Sequence, residues 1–228
     1  TQRSTGIWEA TSADTSFAAD CIVLCNSYAA NSLLEESCLS AQCRIQNSYG
    51  QTSVVEATKV SAGLSSVVCG ARSLFPILGE SHTIAASYSQ GVQTSDSVAT
   101  ARQENFSGAN SLFDSPQFTQ ELRSEQALRS AGEDFLPIVG PAPNSAQIEE
   151  DYALLRRNAQ ANLNQTLCRH SGLFLNMAHG SNGLASTPLC AEFIASLASG
   201  EPSPLSQAER EILEPARFTL RAMKKQRS

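Results

Sequence analysis

The apolar run Leu173-Phe174-Leu175 has the length of a buried strand, and it ends in His179-Gly180-Ser181-Asn182-Gly183, where two glycines and an Asn permit positive φ. Thr187 then suits an N-cap with Pro188 at the first helical position, and Leu189, Phe193 and Leu197 fall four apart before Gly200, a natural helix stop. The pattern predicts strand, glycine loop, helix. Near the start, residues 21–25 (CIVLC) form a continuous apolar run that suits a strand covered on both faces in a parallel sheet. A strand carrying Trp8 over residues 7–13 precedes it, and a short helix over 28–36 follows.

The texture changes after Cys38. Val54-Val55, Val67-Val68, Leu74-Phe75 and Ile84-Ala85-Ala86 are short β-prone pieces separated by Gly and Pro, the pattern of an antiparallel meander, with residues 81–88 its clearest strand. Ser95 or Asp96 can cap a helix running to about Phe113, and residues 121–131 read as a helix end or a loop. Pro137 fits an edge or strand-start position better than a central one, and Pro141-Ala142-Pro143-Asn144 ends that strand. Ile148, Tyr152, Leu155 and Ala159 outline an amphipathic helix over 147–163, and Ser206 with Glu209 makes a capping box. The fold class expected is α/β plus α+β. Its parts are residues 1–37, an antiparallel-sheet region over 38–135, a return to α/β over 136–200, and a C-terminal helix with a basic tail over 201–228.

At 41% hydrophobic and 17% charged residues, the 228-residue chain has the composition of a folded globular protein. A net charge of −6 excludes a chain-wide basic field for nucleic acid and leaves room for a local patch. No apolar run approaches the ~20 residues of a membrane span, and the N-terminus lacks the layout of a secretory signal, so no membrane partner and a cytoplasmic location are expected. The seven cysteines contain no C-x-x-C pair, so no metal site is expected and the thiols read as buried, reduced and structural.

Three features carry candidate chemistry. The loop of Gly180, Ser181, Asn182, Gly183 and Leu184 feeds a helix N-terminus, which suits an electron-rich ligand edge or is simply a tight turn. Arg129, set among small residues, is either an ion-paired surface group or a bidentate clamp for a carboxylate or phosphate. Arg217, Arg221, Lys224, Lys225 and Arg227 form an unbalanced basic tail, a fraying terminus or a phosphate contact.

Taken in order, ADCIVLCNSYA, Tyr49-Gly50-Gln51, HTIAASYSQG, ALRSAGEDFLPIVGPAP, LFLNMAHGSNGLASTPLCAE and LEPARFTLRAMKK resemble the C-terminal part of the FAD-dependent amine oxidoreductases of the D-amino-acid oxidase and glycine oxidase superfamily. Within it they are most similar to the oxidoreductase half of bifunctional tRNA wobble-uridine modification enzymes. The resemblance is densest over 127–140 and from 173 onward, and weak over 144–169. It implies FAD as cofactor, with residues 180–184 against the isoalloxazine ring and Arg129 on the substrate carboxylate. It also implies tRNA as partner and oxidative removal of a carboxymethyl group from 5-carboxymethylaminomethyl-(2-thio)uridine. His179 beside the loop is expected to be structural rather than catalytic, and the sequence leaves open whether it touches the flavin. The alternatives are an oxidase of free glycine or D-amino acids, and a non-catalytic fragment or partner subunit. Tyr49 stands where the family commonly has Arg, and Asn182 where near relatives have Arg. No G-x-G-x-x-G unit occurs, so the expectation is an incomplete FAD-binding domain that by itself binds FAD weakly or not at all. Its missing partners are an N-terminal FAD-binding portion and, if it is bifunctional like those enzymes, a methyltransferase portion.

Overall fold

The computed structural model describes residues 1–2, 6–41, 43–90, 94–161 and 165–225. In chain order the elements are β1 (Trp8–Thr11), β2 (Ser16–Ala19), β3 (Ile22–Leu24), α1 (Ala30–Glu36), β4 (Ile45–Glu56), β5 (Val68–Cys69), β6 (Ser73–Leu74), β7 (Ser81–Ser89) and α2 (Ser95–Asn110). There follow β8 (Glu121–Gly132), β9 (Ile138–Pro143), α3 (Ser145–Asp151), β10 (Arg169–Met177), α4 (Gly183–Ser199), α5 (Gln207–Leu213) and α6 (Arg217–Lys225). They form two compact units, one of residues 1–46 with 130–228 and one of residues 47–129.

In the first unit β10 is the centre of a three-stranded sheet, parallel to β3 (Leu173 opposite Ile22) and antiparallel to β9 (Leu175 opposite Gly140). Side chains alternate across it. Ile138, Leu173, Leu175 and Met177 pack with Trp8, Leu34 and Phe218, while Val139 and Phe174 pack with Cys190, Phe193, Ile194 and Leu213. The parallel pairing of the 21–25 run holds, but its two-sided burial does not. β3 is an edge strand: Ile22 and Leu24 face the core, and Val23 is 39% exposed.

Other expectations are corrected in this unit. β9 runs on through Pro141 and ends at Pro143, within the Pro141–Asn144 segment expected to end it, since an edge strand can do without the proline N–H groups. The helix expected over 147–163 stops at Asp151, capped by Asn144 and followed by a 3-10 turn at Ala153–Arg156; this still buries Ile148, Tyr152 and Leu155 against Ala216 and Met223. Its expected end at residue 163 lies outside the described residues. Helix α4 begins at Gly183, not at Thr187, so Pro188 sits inside it and frees the carbonyl four residues back. Leu189 is exposed, whereas Cys190, Phe193 and Ile194 form the buried stripe. The stop at Gly200 holds, with φ +73 and its N–H bonded to the Ser196 carbonyl. The Ser206–Glu209 capping box is present.

The tail is a helix rather than a frayed end. The Arg217 side chain is 5% exposed and grips Asp134 through Nε and Nη2, both at 2.9 Å, while its other donors meet the carbonyls of Leu213, Glu214 and Leu136. Arg221 also bonds Asp134. Arg217 is therefore withdrawn from the phosphate-contacting set; Lys224 and Lys225 remain exposed, and Arg227 lies outside the described residues.

The second unit is built on the sheet β5-β6-β7-β4-β8, whose pairs β5/β6, β6/β7 and β7/β4 are antiparallel. Val55, Leu74, Ile84, Ala109 and Phe118 make its core with α2. The cap of α2 is Thr94 rather than Ser95 or Asp96, in a capping box with Ser97. Residues 121–131, expected as helix end or loop, are strand β8 at the sheet edge beside β4. All seven cysteines are free; Cys43 and Cys190 are buried as expected, but Cys25, Cys38 and Cys69 are exposed. Among the described residues no cluster of three or more His, Cys, Asp or Glu could hold a metal, and no helix is long and apolar enough to cross a membrane.

Candidate functional site

The glycine loop forms where β10 leaves its sheet. Ala178 and Gly180 take φ of +60 and +59, and a 3-10 turn over Gly180–Asn182 runs into the first residue of α4. At Gly180 a side chain would add steric conflict to a disfavoured backbone, because its Cβ would lie 3.3 Å from the Ala131 Cβ. The five residues Gly180, Ser181, Asn182, Gly183 and Leu184 thus come together as one turn and helix start. Asn182 at the cap position makes no side-chain capping bond, no acidic residue stands in the first turn, and the Leu184 side chain is fully exposed. A 17-residue helix therefore presents its positive end and unpaired first N–H groups at the surface.

His179 fastens this turn. Its Nδ1 lies 2.9 Å from Ser186 Oγ and its Nε2 2.9 Å from the Asn176 amide, while Ser186 Oγ donates to the Asn182 carbonyl at 2.9 Å. Burial lowers the His179 pKa, which favours the neutral ring. Asn176 and Ser186 carried no sequence signal apart from proximity. His179 ties the end of β10 to the first turns of α4, the structural role expected of it.

Arg129 belongs to the second unit, on β8. Its Nη2 donates to Tyr88 Oη at 2.6 Å, and its guanidinium lies 4.2 Å from the centre of the Tyr88 ring. Tyr88 faces Gly50 across the β4–β7 ladder, and a Cβ at Gly50 would come within 3.3 Å of the Tyr88 ring. The glycine of the Tyr49-Gly50-Gln51 triplet thus leaves room for the ring that supports Arg129. Buried Gln51 braces the same strand, donating to the Val98 carbonyl at 3.2 Å and accepting from Gln126 at 3.3 Å. Tyr88 was not singled out from sequence. The small-beside-large pairing with Gly50 would have been the clue, had the register been known.

A family model described as FAD dependent oxidoreductase (DAO) matches residues 1–197. The chain belongs to the DAO family. DAO-family relatives include the tRNA 5-methylaminomethyl-2-thiouridine biosynthesis bifunctional protein MnmC of Pseudomonas putida (strain W619), 32% identical over 97% of this chain and 35% of that protein. The protein of the same name from Pseudomonas syringae pv. tomato is 35% identical over 81% of this chain and 29% of its own length. The chain thus spans about a third of the length of the curated relatives it matches. Among solved structures, glycine oxidase from Geobacillus kaustophilus superposes with a TM-score of 0.64 at 19% identity, over 90% of this chain and 47% of that one. Iminodiacetate oxidase from Chelativorans sp. BNC1 gives 0.63 at 18% identity, over 91% and 49%. Both likenesses establish the mixed α/β fold of several sheets.

The DAO assignment implies FAD, and the residues present fit one end of it. The uncapped start of α4 and its glycine turn match the electron-rich edge of a flavin ring. For the ADP half, no two glycines in the sequence stand in a G-x-G spacing, so the tight turn that admits a pyrophosphate is not among these residues.

Proposed function

We propose that this chain is the oxidoreductase portion of a tRNA wobble-uridine modification enzyme, removing the carboxymethyl group from 5-carboxymethylaminomethyl-(2-thio)uridine. The observation that carries this reading is the extent of the match to the curated tRNA-modifying relatives, which covers nearly the whole chain. Bound FAD would supply the two-electron acceptor for oxidising the arm's C–N bond to an imine, which water then cleaves. Residues 180–184 and the start of α4 would hold the ring edge where negative charge develops. Arg129, kept flat by Tyr88, binds the carboxylate of the arm through its forked N–H groups. The ring of His179 and the Ser186 hydroxyl keep the turn in place without exchanging a proton with substrate. Arg221, Lys224 and Lys225 on α6 are the basic residues left to meet tRNA phosphates.

The test is nucleoside mass spectrometry of tRNA carrying 5-carboxymethylaminomethyluridine after incubation with the FAD-loaded protein. Conversion to 5-aminomethyluridine supports the reading. Untouched tRNA together with rapid oxidation of free glycine overturns it in favour of an amino-acid oxidase.

A further inference from the structure

Within the first unit, a cleft of about 790 Å³ lies beside β9, α4, α5 and α6. Its floor is apolar, with Val139, Phe193, Leu197 and Leu220. Its rim carries five cations, Arg169, Arg210, Arg217, Arg221 and Lys224, against two carboxylates, Glu211 and Glu214, in a chain whose net charge is −6. Concentration of one sign in a concave, partly apolar site raises the local potential and attracts the opposite charge.

Three of the cations have acidic partners. Arg169 binds Glu214 at 2.8 Å, and Arg217 and Arg221 share Asp134. Arg210 and Lys224 have no carboxylate partner among the described residues, and both are exposed. Each lies in the last turn of its helix, α5 and α6, where a cation suits the helix dipole. The dipole accounts for their place along each helix. It does not account for two different helices directing unpaired cations to one cleft above an apolar floor.

We propose that this cleft binds a nucleotide, with the phosphate between Arg210 and Lys224 and the base on the apolar floor at Leu197 and Leu220. Phosphate held by Arg and Lys beside a flat apolar surface is how single-stranded or splayed nucleotides are bound without sequence readout. A nucleotide of an RNA strand and a free mononucleotide share this chemistry. The RNA source rests on the tRNA reading above; the phosphate site does not.

The experiment compares the protein with its Arg210→Ala/Lys224→Ala variant, titrated with an anticodon stem-loop RNA, with adenosine monophosphate and with inorganic phosphate. Trp8 emission and the thermal midpoint verify that the variant is folded. The expected result is a loss of about tenfold in affinity at low salt, and for the RNA a flattening of the salt dependence by about 0.7 log units per log unit of salt, the change for the one phosphate contact removed. Loss confined to adenosine monophosphate, with no RNA binding by either protein, supports the site and counts against the tRNA reading. Affinities unchanged in both the RNA and mononucleotide arms overturn the site, and inorganic phosphate binding as tightly as adenosine monophosphate overturns the nucleotide assignment.

Discussion

Replacing Asp134 by Asn removes one negative charge while keeping the side chain's shape. Its carboxylate receives two bonds from the Arg217 fork and one from Arg221, and Arg217 is almost wholly buried. Breaking a buried ion pair by neutralising one partner costs about 3–5 kcal/mol. Asp134 keeps about a fifth of its surface, and three backbone carbonyls still hold Arg217, so the cost falls to the bottom of that range or just below it, about 2–3 kcal/mol. With an m value near ~2 kcal/mol/M, the urea midpoint falls by about 1–1.5 M. Trp8, buried in the same unit, is the reporter. Burial alone would raise the Asp134 pKa, but hydrogen bonds and charge from Arg217 and Arg221 outweigh it and hold the carboxyl well below the usual carboxylate range. Because the folded value is depressed, the stabilisation is complete above the unfolded value of about 3.9 and is lost as pH falls towards the folded one. The gap between wild type and Asp134→Asn should be constant from pH 7 to about 5 and narrow below about 4. A midpoint shift under about 0.25 M at pH 7, or a gap that widens in acid, would refute the assignment of the pair as a structural clamp.

Arg129→Ala in the FAD-loaded protein should lower kcat/KM by about 2–3 kcal/mol, roughly 30- to 150-fold, mostly through KM; unchanged steady-state kinetics would remove Arg129 from the substrate site. Gly50→Val forces the Tyr88 ring from its place and should reproduce much of the Arg129→Ala defect, at a further cost of about 1–3 kcal/mol in stability. Comparing the KM of the two variants checks this. Gly180→Ala should destabilise by about 1–2 kcal/mol, since it combines a positive φ with a close Ala131 contact, and should weaken flavin retention. Flavin absorbance after gel filtration reads the effect, and full retention with no stability loss would show that the turn needs no glycine.

The parts legible in the sequence were those set by local chemistry: the glycine turn after an apolar strand, the Ser206–Glu209 box and the stop at Gly200. What failed depended on partners far along the chain. Residues 121–131 are rich in straight-chain helix formers, and β8 is exposed on both sides from Leu122 to Ala127, so its first half lacks the alternation that marks a half-buried strand. Pairing beside β4 decides its conformation. Pro188 resembled a helix start because that is its preferred place, yet the packing of Cys190, Phe193 and Ile194 carries the helix through it. Arg217 resembled a solvated tail residue because Asp134 stands 83 positions earlier. The support of Arg129 by Tyr88 likewise depends on strand register, which no spacing revealed.

The first unit is discontinuous in sequence and the second is not, which bears on the order in which they form during synthesis. Residues 47–129 leave the ribosome together with all that their core requires. Strand β3 must wait for β10, about 150 residues later, which at translation speeds of about 5–20 residues per second is roughly 8–30 s before that pairing can form. Val23 stays outward even in the finished sheet, so the segment around β3 is where a holding chaperone would have its longest opportunity to bind.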